Sequence, residues 1–185
     1  GNTISNQTRK NRDKFADFYS NFQGGAQHHM GKRVDNVINR TVSGRRTRSD
    51  ASDFVNTYGS EEQKEKWLPG LGNGTQIGCF GLTEPNFGSN PGGMATRCKK
   101  DGSDGIINGN KMWITNGTLA DVAVVWARDE EGIVRGFLLE KGMDGFTSSD
   151  IHGKLSLRCS VSSELSMSDV RVPDTARLPN VEGLK

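Results

Sequence analysis

The segment 78–93, GCFGLTEPNFGSNPGG, groups side chains that can hydrogen-bond to a ligand. Thr83 and Ser89 carry hydroxyl groups, and Asn86 and Asn90 carry amides. Glycines between them allow backbone N–H groups to approach a bound molecule closely, and prolines restrict the backbone. A segment so rich in hydroxyls, amides and bare backbone is a candidate for a loop that holds a ligand.

A second segment, Asn108–Asn116 (NGNKMWITN), places the indole of Trp113 beside the hydroxyl of Thr115 on a predicted strand edge. Considered alone, Trp113 fits a core position as well as a ligand contact. An aromatic face beside directed hydrogen-bond donors suits a flat heterocycle such as a flavin. Together with the segment 78–93, this motif therefore favours a wall for a planar ligand.

The histidines and glycines argue against other chemistries. His28, His29 and His152 lie in no recognisable nucleophile motif, so a hydrolase is disfavoured. The pair at 28 and 29 has no ligand partner at a suitable spacing, so no metal site is predicted. The glycines of GNGTQIGCFG form neither a dinucleotide-binding fingerprint nor a phosphate-binding loop.

The three cysteines, Cys79, Cys98 and Cys159, lack a CxxC spacing. Their odd number disfavours a disulfide framework and a zinc site, and fits a reducing compartment. No apolar run reaches the length of a membrane helix, and no signal-peptide core is found.

Charge divides the 185-residue chain into two parts. Residues 1–50 carry ten basic and four acidic side chains, a net charge of +6, whereas the remainder carries fourteen and eighteen, a net charge of −4. A basic arm can contact nucleic acid or anionic lipid, but this charge is diffuse and favours a solvated tail. We expect an arm at 1–55 that is partly helical or disordered, a short helix and connector at 56–75, and a β domain at 76–185.

Within the arm, Phe15, Phe18, Tyr19 and Phe22 have the i, i+3, i+4, i+7 spacing of one helical face. This stripe either packs against the body or another domain, or anchors a partner or a membrane surface. The polar stretch 41–52, TVSGRRTRSDAS, is predicted to be a loop.

A helix is predicted at 61–67. Ser60 is a suitable N-cap, and Gln63 lies three residues later, as in a capping box. Pro69 and Gly70 are expected to end the helix.

From residue 76 the pattern is that of a β domain. Short apolar or alternating runs separated by Gly and Asp turns predict a mainly β fold with short helices, an antiparallel sandwich or barrel over 76–180. The predicted strands are IGCFGL, GIING, VAVVWA, GFLLE, KLSLR and ELSMSDVRV.

The two polar motifs also carry a family resemblance. FGLTEPNFGSNPGGM followed by NGNKMWITN resembles the acyl-CoA dehydrogenase family, and within it the glutaryl-CoA dehydrogenases. The resemblance covers residues 58–185 and continues through ADVAVVWARDEEGIVRGFLLEKGMDGF, HGKLSLR and DVRVPDTARLPNVEG. It implies the family's middle β barrel or sandwich domain, which lies between a helical N-terminal domain and a C-terminal helical bundle.

The resemblance implies FAD as the cofactor, because the family oxidises the Cα–Cβ bond of an acyl-CoA and passes a hydride to the flavin N5. Thr83 is expected to bond the pyrimidine side of the flavin, and Thr115 to donate towards N5. Ser89 is expected where the cofactor and the acyl-CoA substrate approach each other. The full set of expected FAD contacts is Phe80, Gly81, Leu82, Thr83, Gly88, Ser89, Trp113, Ile114 and Thr115.

Three departures accompany the resemblance. Asn90 stands where the family has Asp, and residues 1–55 match the helical domain poorly, although VSGRRTRS makes Arg46 a candidate for binding the distal carboxylate of a glutaryl substrate. The chain also stops before the bundle that supplies the catalytic glutamate, further FAD contacts and the oligomer interface. Glu84 belongs to the cofactor loop and does not replace that glutamate, so no catalytic residue is predicted in these 185 residues.

These expectations leave two classes of function. One is a piece of an FAD-dependent acyl-CoA dehydrogenase that forms a homo-oligomer or part of a larger complex, in the cytoplasm of a bacterium or the matrix of a mitochondrion. The alternative is a non-enzymatic β-domain module within a larger assembly. Nucleic acid and membrane are not predicted partners, unless Gly1 follows a removed Met and is N-myristoylated, as GNTISN permits.

Overall fold

The computed structural model describes the backbone of residues 45–184 and the side chains of 50–184. The predictions for residues 1–44, namely the aromatic stripe at 15–22, the histidines at 28 and 29 and the acylation of Gly1, lie outside the described residues. Within the described range, no helix is long and apolar enough to cross a membrane.

Helix α1 spans Arg45–Tyr58, so the loop expected at 41–52 is wrong from residue 45 onward. Ala51 and Val55 are fully buried, and Phe54 packs beside them at the i+3 position. The apolar spacing continues to Tyr58 and gives the helix one buried face. Because Gly78 has no side chain, α1 can approach strand β1 closely; a Cβ there would lie 2.5 Å from the Cβ of Ala51.

Helix α2 spans Glu61–Asn73 and begins at the predicted capping box. The backbone N–H of Gln63 donates to Ser60 Oγ at 3.3 Å, and the backbone N–H of Ser60 donates to Gln63 Oε1 at 3.0 Å. The predicted end is wrong, because the helix continues through Pro69. Burial of Trp67 and Leu71, one turn apart, holds this last segment against the sheet and outweighs the missing proline N–H.

In the part of the chain that the structure describes, seven strands form one curled half-barrel sheet, which confirms a mainly β fold with short helices. The strands are β1 (Gly78–Gly81), β2 (Arg97–Asp101), β3 (Asp104–Thr115), β4 (Val122–Arg128), β5 (Val134–Glu140), β6 (Phe146–Asp150) and β7 (Ser162–Val172). The order is β1-β4-β2-β3-β7-β6, with β5 on β4. Most pairs are antiparallel as predicted, but β1 runs parallel to β4, and β2 meets β4 in a single parallel residue pair.

Two details of the strand prediction are wrong. Strands β2 and β6 were not predicted, because RCKKD and FTSSD are mostly exposed and polar. The predicted strand KLSLR forms no strand, and Leu155 and Leu157 are 94% and 76% exposed. Its alternating pattern therefore does not reflect a buried sheet face.

The sheet has an apolar core on each face. One core lies between β3, β4, β5 and β7 and includes Ile107, Leu139 and Leu165. The other joins the two helices to the opposite faces of β4 and β5 through residues such as Val124 and Leu138. Strand β4 is buried from Val122 to Ala127 and contributes alternate residues to both cores.

Candidate functional site

The site is built where the loop after β1 meets the end of β3. The Met112 N–H donates to the carbonyl oxygen of Thr83 at 2.8 Å, so the two polar motifs lie side by side. Thr83 is half-buried, whereas Ser89 and Asn90 are exposed. The structure therefore brings Thr83 of the first motif next to the residue that precedes Trp113 in the second.

The loop itself is closed by short backbone contacts. Glu84 and Phe87 exchange two backbone hydrogen bonds, of 3.4 and 3.2 Å. Gly88 is exposed, and a Cβ there would meet nothing within 4 Å, so the space on that side of the loop is open. Asn90 precedes the 3₁₀ turn Pro91–Gly93 and accepts a bond from the Gly93 N–H through its backbone, without a side-chain cap.

Trp113 is 56% exposed, so the core interpretation is wrong for this residue. Its φ is +63°, and the β3–β7 register shifts between Lys111 and Ile114. A bulky side chain at positive φ is strained by about 1–3 kcal/mol, and such residues cluster at functional sites. The bulge re-aims the indole out of the sheet.

After the bulge, side chains alternate. Thr115 is exposed on the same segment as Trp113, while Ile114 between them is 3% exposed and belongs to the core. The predicted contacts Trp113 and Thr115 thus present side chains to solvent. Ile114 can offer a ligand only its backbone.

Phe80 and Leu82 lead into a different feature, a pocket of about 360 Å³ that α1 and residues 180–184 complete. The ring of Phe80 stacks on Phe54 at 4.9 Å and meets Trp126 edge-on at 5.9 Å. Gly81 is buried, and a Cβ there would lie 3.2 Å from Leu165 in the other core. The sequence signal for this pocket was the alternation of Phe80 and Leu82, read together with the aromatic residues of α1.

Beneath the two motifs lies a buried ion pair that sequence reasoning missed. Lys111 Nζ is 2.8 Å from Glu84 Oε1, and the side chains are 0% and 3% exposed. The same carboxylate accepts the N–H groups of Ala95 and Thr96 at 2.6 and 3.0 Å, and the Thr96 hydroxyl. The available signal was a lysine in a β strand beside an acidic residue in the other motif.

The charges of this pair are set by competing effects. Burial acts to raise the pKa of Glu84, but hydrogen bonds from Lys111, Thr96 and Ala95 outweigh it, and the pKa lies below its usual value. Burial lowers the pKa of Lys111, and the bond to Glu84 offsets only part of that effect. Glu84 is therefore an ionised, fully engaged carboxylate.

The remaining candidates lie elsewhere. Arg46 is in the first turn of α1, and its side chain lies outside the described part of the chain. All three cysteines are free, and burial raises the pKa of Cys79 to about 12 and that of Cys98 to about 11. Among residues 50–184 no group of three or more His, Cys, Asp or Glu side chains is placed to hold a metal ion.

Residues 79–170 match the family model of the acyl-CoA dehydrogenase middle domain. Glutaryl-CoA dehydrogenase from Mycobacterium smegmatis, solved in complex with FADH2, is 60% identical with a TM-score of 0.71, over 72% of this chain and 34% of that one. Butyryl-CoA dehydrogenase from Megasphaera elsdenii is 35% identical with a TM-score of 0.67, over 80% and 37%. Mitochondrial isovaleryl-CoA dehydrogenase of Pongo abelii is 46% identical over 121 residues, 62% of this chain and 29% of that protein. The chain spans about a third of the length of these relatives.

Proposed function

Because this chain belongs to the acyl-CoA dehydrogenase family, whose middle domain it contains over residues 79–170, we propose that its two joined motifs bind FAD as part of an acyl-CoA dehydrogenase. The observation that carries the proposal is the junction itself. Thr83 is hydrogen-bonded to the strand segment on which Trp113 has a positive φ and an indole that is exposed to solvent.

The residues present suit a flavin. Trp113 offers an aromatic face, and Thr83, Ser89 and Thr115 offer hydroxyl donors along the same two segments. The open backbone at Gly88 can approach the ligand. Bound FAD would accept a hydride from the β-carbon of an acyl-CoA, and these side chains would hold and polarise the ring.

The proton acceptor of such a reaction is not Glu84. Its carboxylate is 3% exposed and accepts hydrogen bonds from Lys111, Ala95 and Thr96. A general base must reach the substrate proton at hydrogen-bond distance. We propose instead that a carboxylate of the family's C-terminal bundle removes the α-proton, as the resemblance implies.

We propose a glutaryl-type acyl-CoA as the substrate. The support is the 60% identity to the glutaryl-CoA dehydrogenase of Mycobacterium smegmatis. Arg46, at the start of α1, is the proposed partner of the distal carboxylate, since a guanidinium can bind a carboxylate with two hydrogen bonds.

A titration of the chain with FAD tests the binding proposal. Of the tryptophans, Trp67 and Trp126 are 5% and 3% exposed and Trp113 is 56% exposed, so a stacked flavin should quench mainly Trp113. Thr115→Val should weaken this quenching, whereas Thr147→Val, an exposed strand threonine on β6, should not. Equal quenching by FAD in all three proteins would remove Thr115 from the site. Absence of quenching in all three would show that this chain does not bind FAD alone, and the proposal is then decided in a complete enzyme that also carries the C-terminal bundle.

A further inference from the structure

Lys111 is a fully buried side chain whose ammonium group is surrounded by acceptors of the first motif. Its Nζ lies 2.8 Å from Glu84 Oε1, 3.2 Å from the carbonyl oxygen of Leu82 and 3.8 Å from the sulfur of Met94. Every one of these contacts crosses from strand β3 to the loop that follows β1 or to the turn that ends this loop.

The contacts of Lys111 enclose Thr83 from both sides. Leu82 precedes Thr83 and Glu84 follows it, and both are bonded to Lys111. The carbonyl of Thr83 itself accepts the N–H of Met112 at 2.8 Å. Three consecutive loop residues are therefore fixed by two consecutive strand residues, immediately before Trp113.

The Glu84 carboxylate extends this arrangement to the far end of the loop. Its Oε2 accepts a hydrogen bond from the Ala95 N–H, and its Oε1 accepts hydrogen bonds from the Lys111 ammonium group and the Thr96 N–H. The loop that carries Ser89 is thus closed at both ends on a single carboxylate. Gly109 admits Thr96 to this position, since a Cβ there would lie 2.4 Å from the Thr96 hydroxyl.

Stability alone is a weak reason for a charged pair here. Burying two charges is costly, and apolar residues of similar volume often stabilise a fold equally well or better. The Lys111–Glu84 pair also lies at the place where the two motifs are in contact. Its geometry suits a role in holding two ligand-contacting segments in register.

We propose that Lys111 is a positioning residue: through Glu84 and the backbone of Leu82 it fixes Thr83 relative to Trp113 and so sets the geometry of the flavin site. The flavin part of this statement rests on the proposed function. The positioning of Trp113 does not, because it is a property of the protein without ligand.

The test uses the 185-residue chain and the double variant Lys111→Met/Glu84→Gln, which removes both charges together and leaves no buried charge unpaired. Iodide quenching of tryptophan emission measures the exposure of Trp113, with Trp113→Phe as the background. Thermal unfolding reports stability, and FAD titration reports affinity. Arg135→Met/Asp129→Asn is the control, because it removes a second ion pair, with an N–O distance of 2.9 Å, that is less deeply buried and lies outside the two motifs.

We expect the double variant to unfold cooperatively, with iodide quenching of Trp113 changed by about twofold or more and FAD affinity reduced by about tenfold or more, as when a hydrogen bond to a ligand is misaligned. The control variant Arg135→Met/Asp129→Asn should change the stability and leave the iodide quenching of Trp113 and the FAD affinity unchanged. A double variant with altered stability but unchanged quenching and FAD affinity would show that the pair is only structural and overturn the proposal. If the wild-type chain does not bind FAD alone, FAD affinity is measured instead in a complete enzyme that carries residues 78–172, where absence of flavin would refute the proposed function. Iodide quenching of the present chain still decides whether Lys111 positions Trp113.

Discussion

Replacing Glu84 by glutamine keeps the shape of the side chain but leaves the Lys111 ammonium unpaired inside the protein. Both side chains are essentially inaccessible, at 3% and 0%, so water cannot screen the charge that remains. Breaking a buried pair in this way costs about 3–5 kcal/mol. An exposed pair such as Lys66–Glu140, at 53% and 41%, is expected to contribute only about 0–1 kcal/mol.

Urea unfolding of four proteins measures this difference: the wild type, Glu84→Gln, Lys111→Met and the double variant. Each single change should lower the free energy of unfolding by several kcal/mol, and the double variant should be more stable than the sum of the two losses predicts. Glu140→Gln is the matched control and should be nearly neutral. A loss below about 0.5 kcal/mol for Glu84→Gln, within the range of ordinary surface substitutions, would refute the buried pair.

Trp113→Gly should leave the free energy of unfolding unchanged or raise it by about 1 kcal/mol, because glycine tolerates φ of +63° without strain. The same change should abolish FAD binding. A loss of stability measured by urea unfolding would show instead that the indole packs in the fold. Gly78→Ala should destabilise the fold by about 1–3 kcal/mol, since the added Cβ would lie 2.5 Å from the Cβ of Ala51. A Cβ added at Gly72 in helix α2 would have no atom within 4 Å, so Gly72→Ala should be neutral or stabilising. Equal melting temperatures of these two glycine variants would contradict the close approach of α1 to β1. The pKa of Glu84 is lower in the folded than in the unfolded protein, so its stabilising effect is present above the unfolded pKa of about 4.3 and is lost as the pH falls through the folded pKa. The free energy of unfolding should therefore fall more steeply with decreasing pH in the wild type than in Glu84→Gln. Equal slopes in the two proteins would contradict this expectation.

Local signals predicted local structure well. The capping box at Ser60 fixed the start of α2, because both of its hydrogen bonds lie within four residues. The predicted end at Pro69 was wrong because its determinant is distant: Trp67 and Leu71 pack on the sheet and hold the last turn. Helix α1 was missed for a similar reason, since the buried face of Ala51 and Val55 follows a strongly polar first turn.

The two polar motifs were predicted as a site from their residue types, but their contact was not. The bond between Met112 and Thr83 joins positions 29 residues apart and depends on the curl of the sheet. The exposure of Trp113 depends on a register shift that the sequence does not reveal. Lys111 and Glu84 were each visible as charged residues, yet only the fold places them 2.8 Å apart and out of solvent.

The flavin content of a grafted enzyme tests the central claim most directly. Residues 78–172 would replace the corresponding β strands of the Mycobacterium smegmatis glutaryl-CoA dehydrogenase, to which this chain is 60% identical over the aligned region. The chimera should purify yellow, with one FAD per chain, and its flavin should bleach anaerobically when glutaryl-CoA is added. A folded chimera that retains no flavin would contradict the claim that these two motifs form a flavin site.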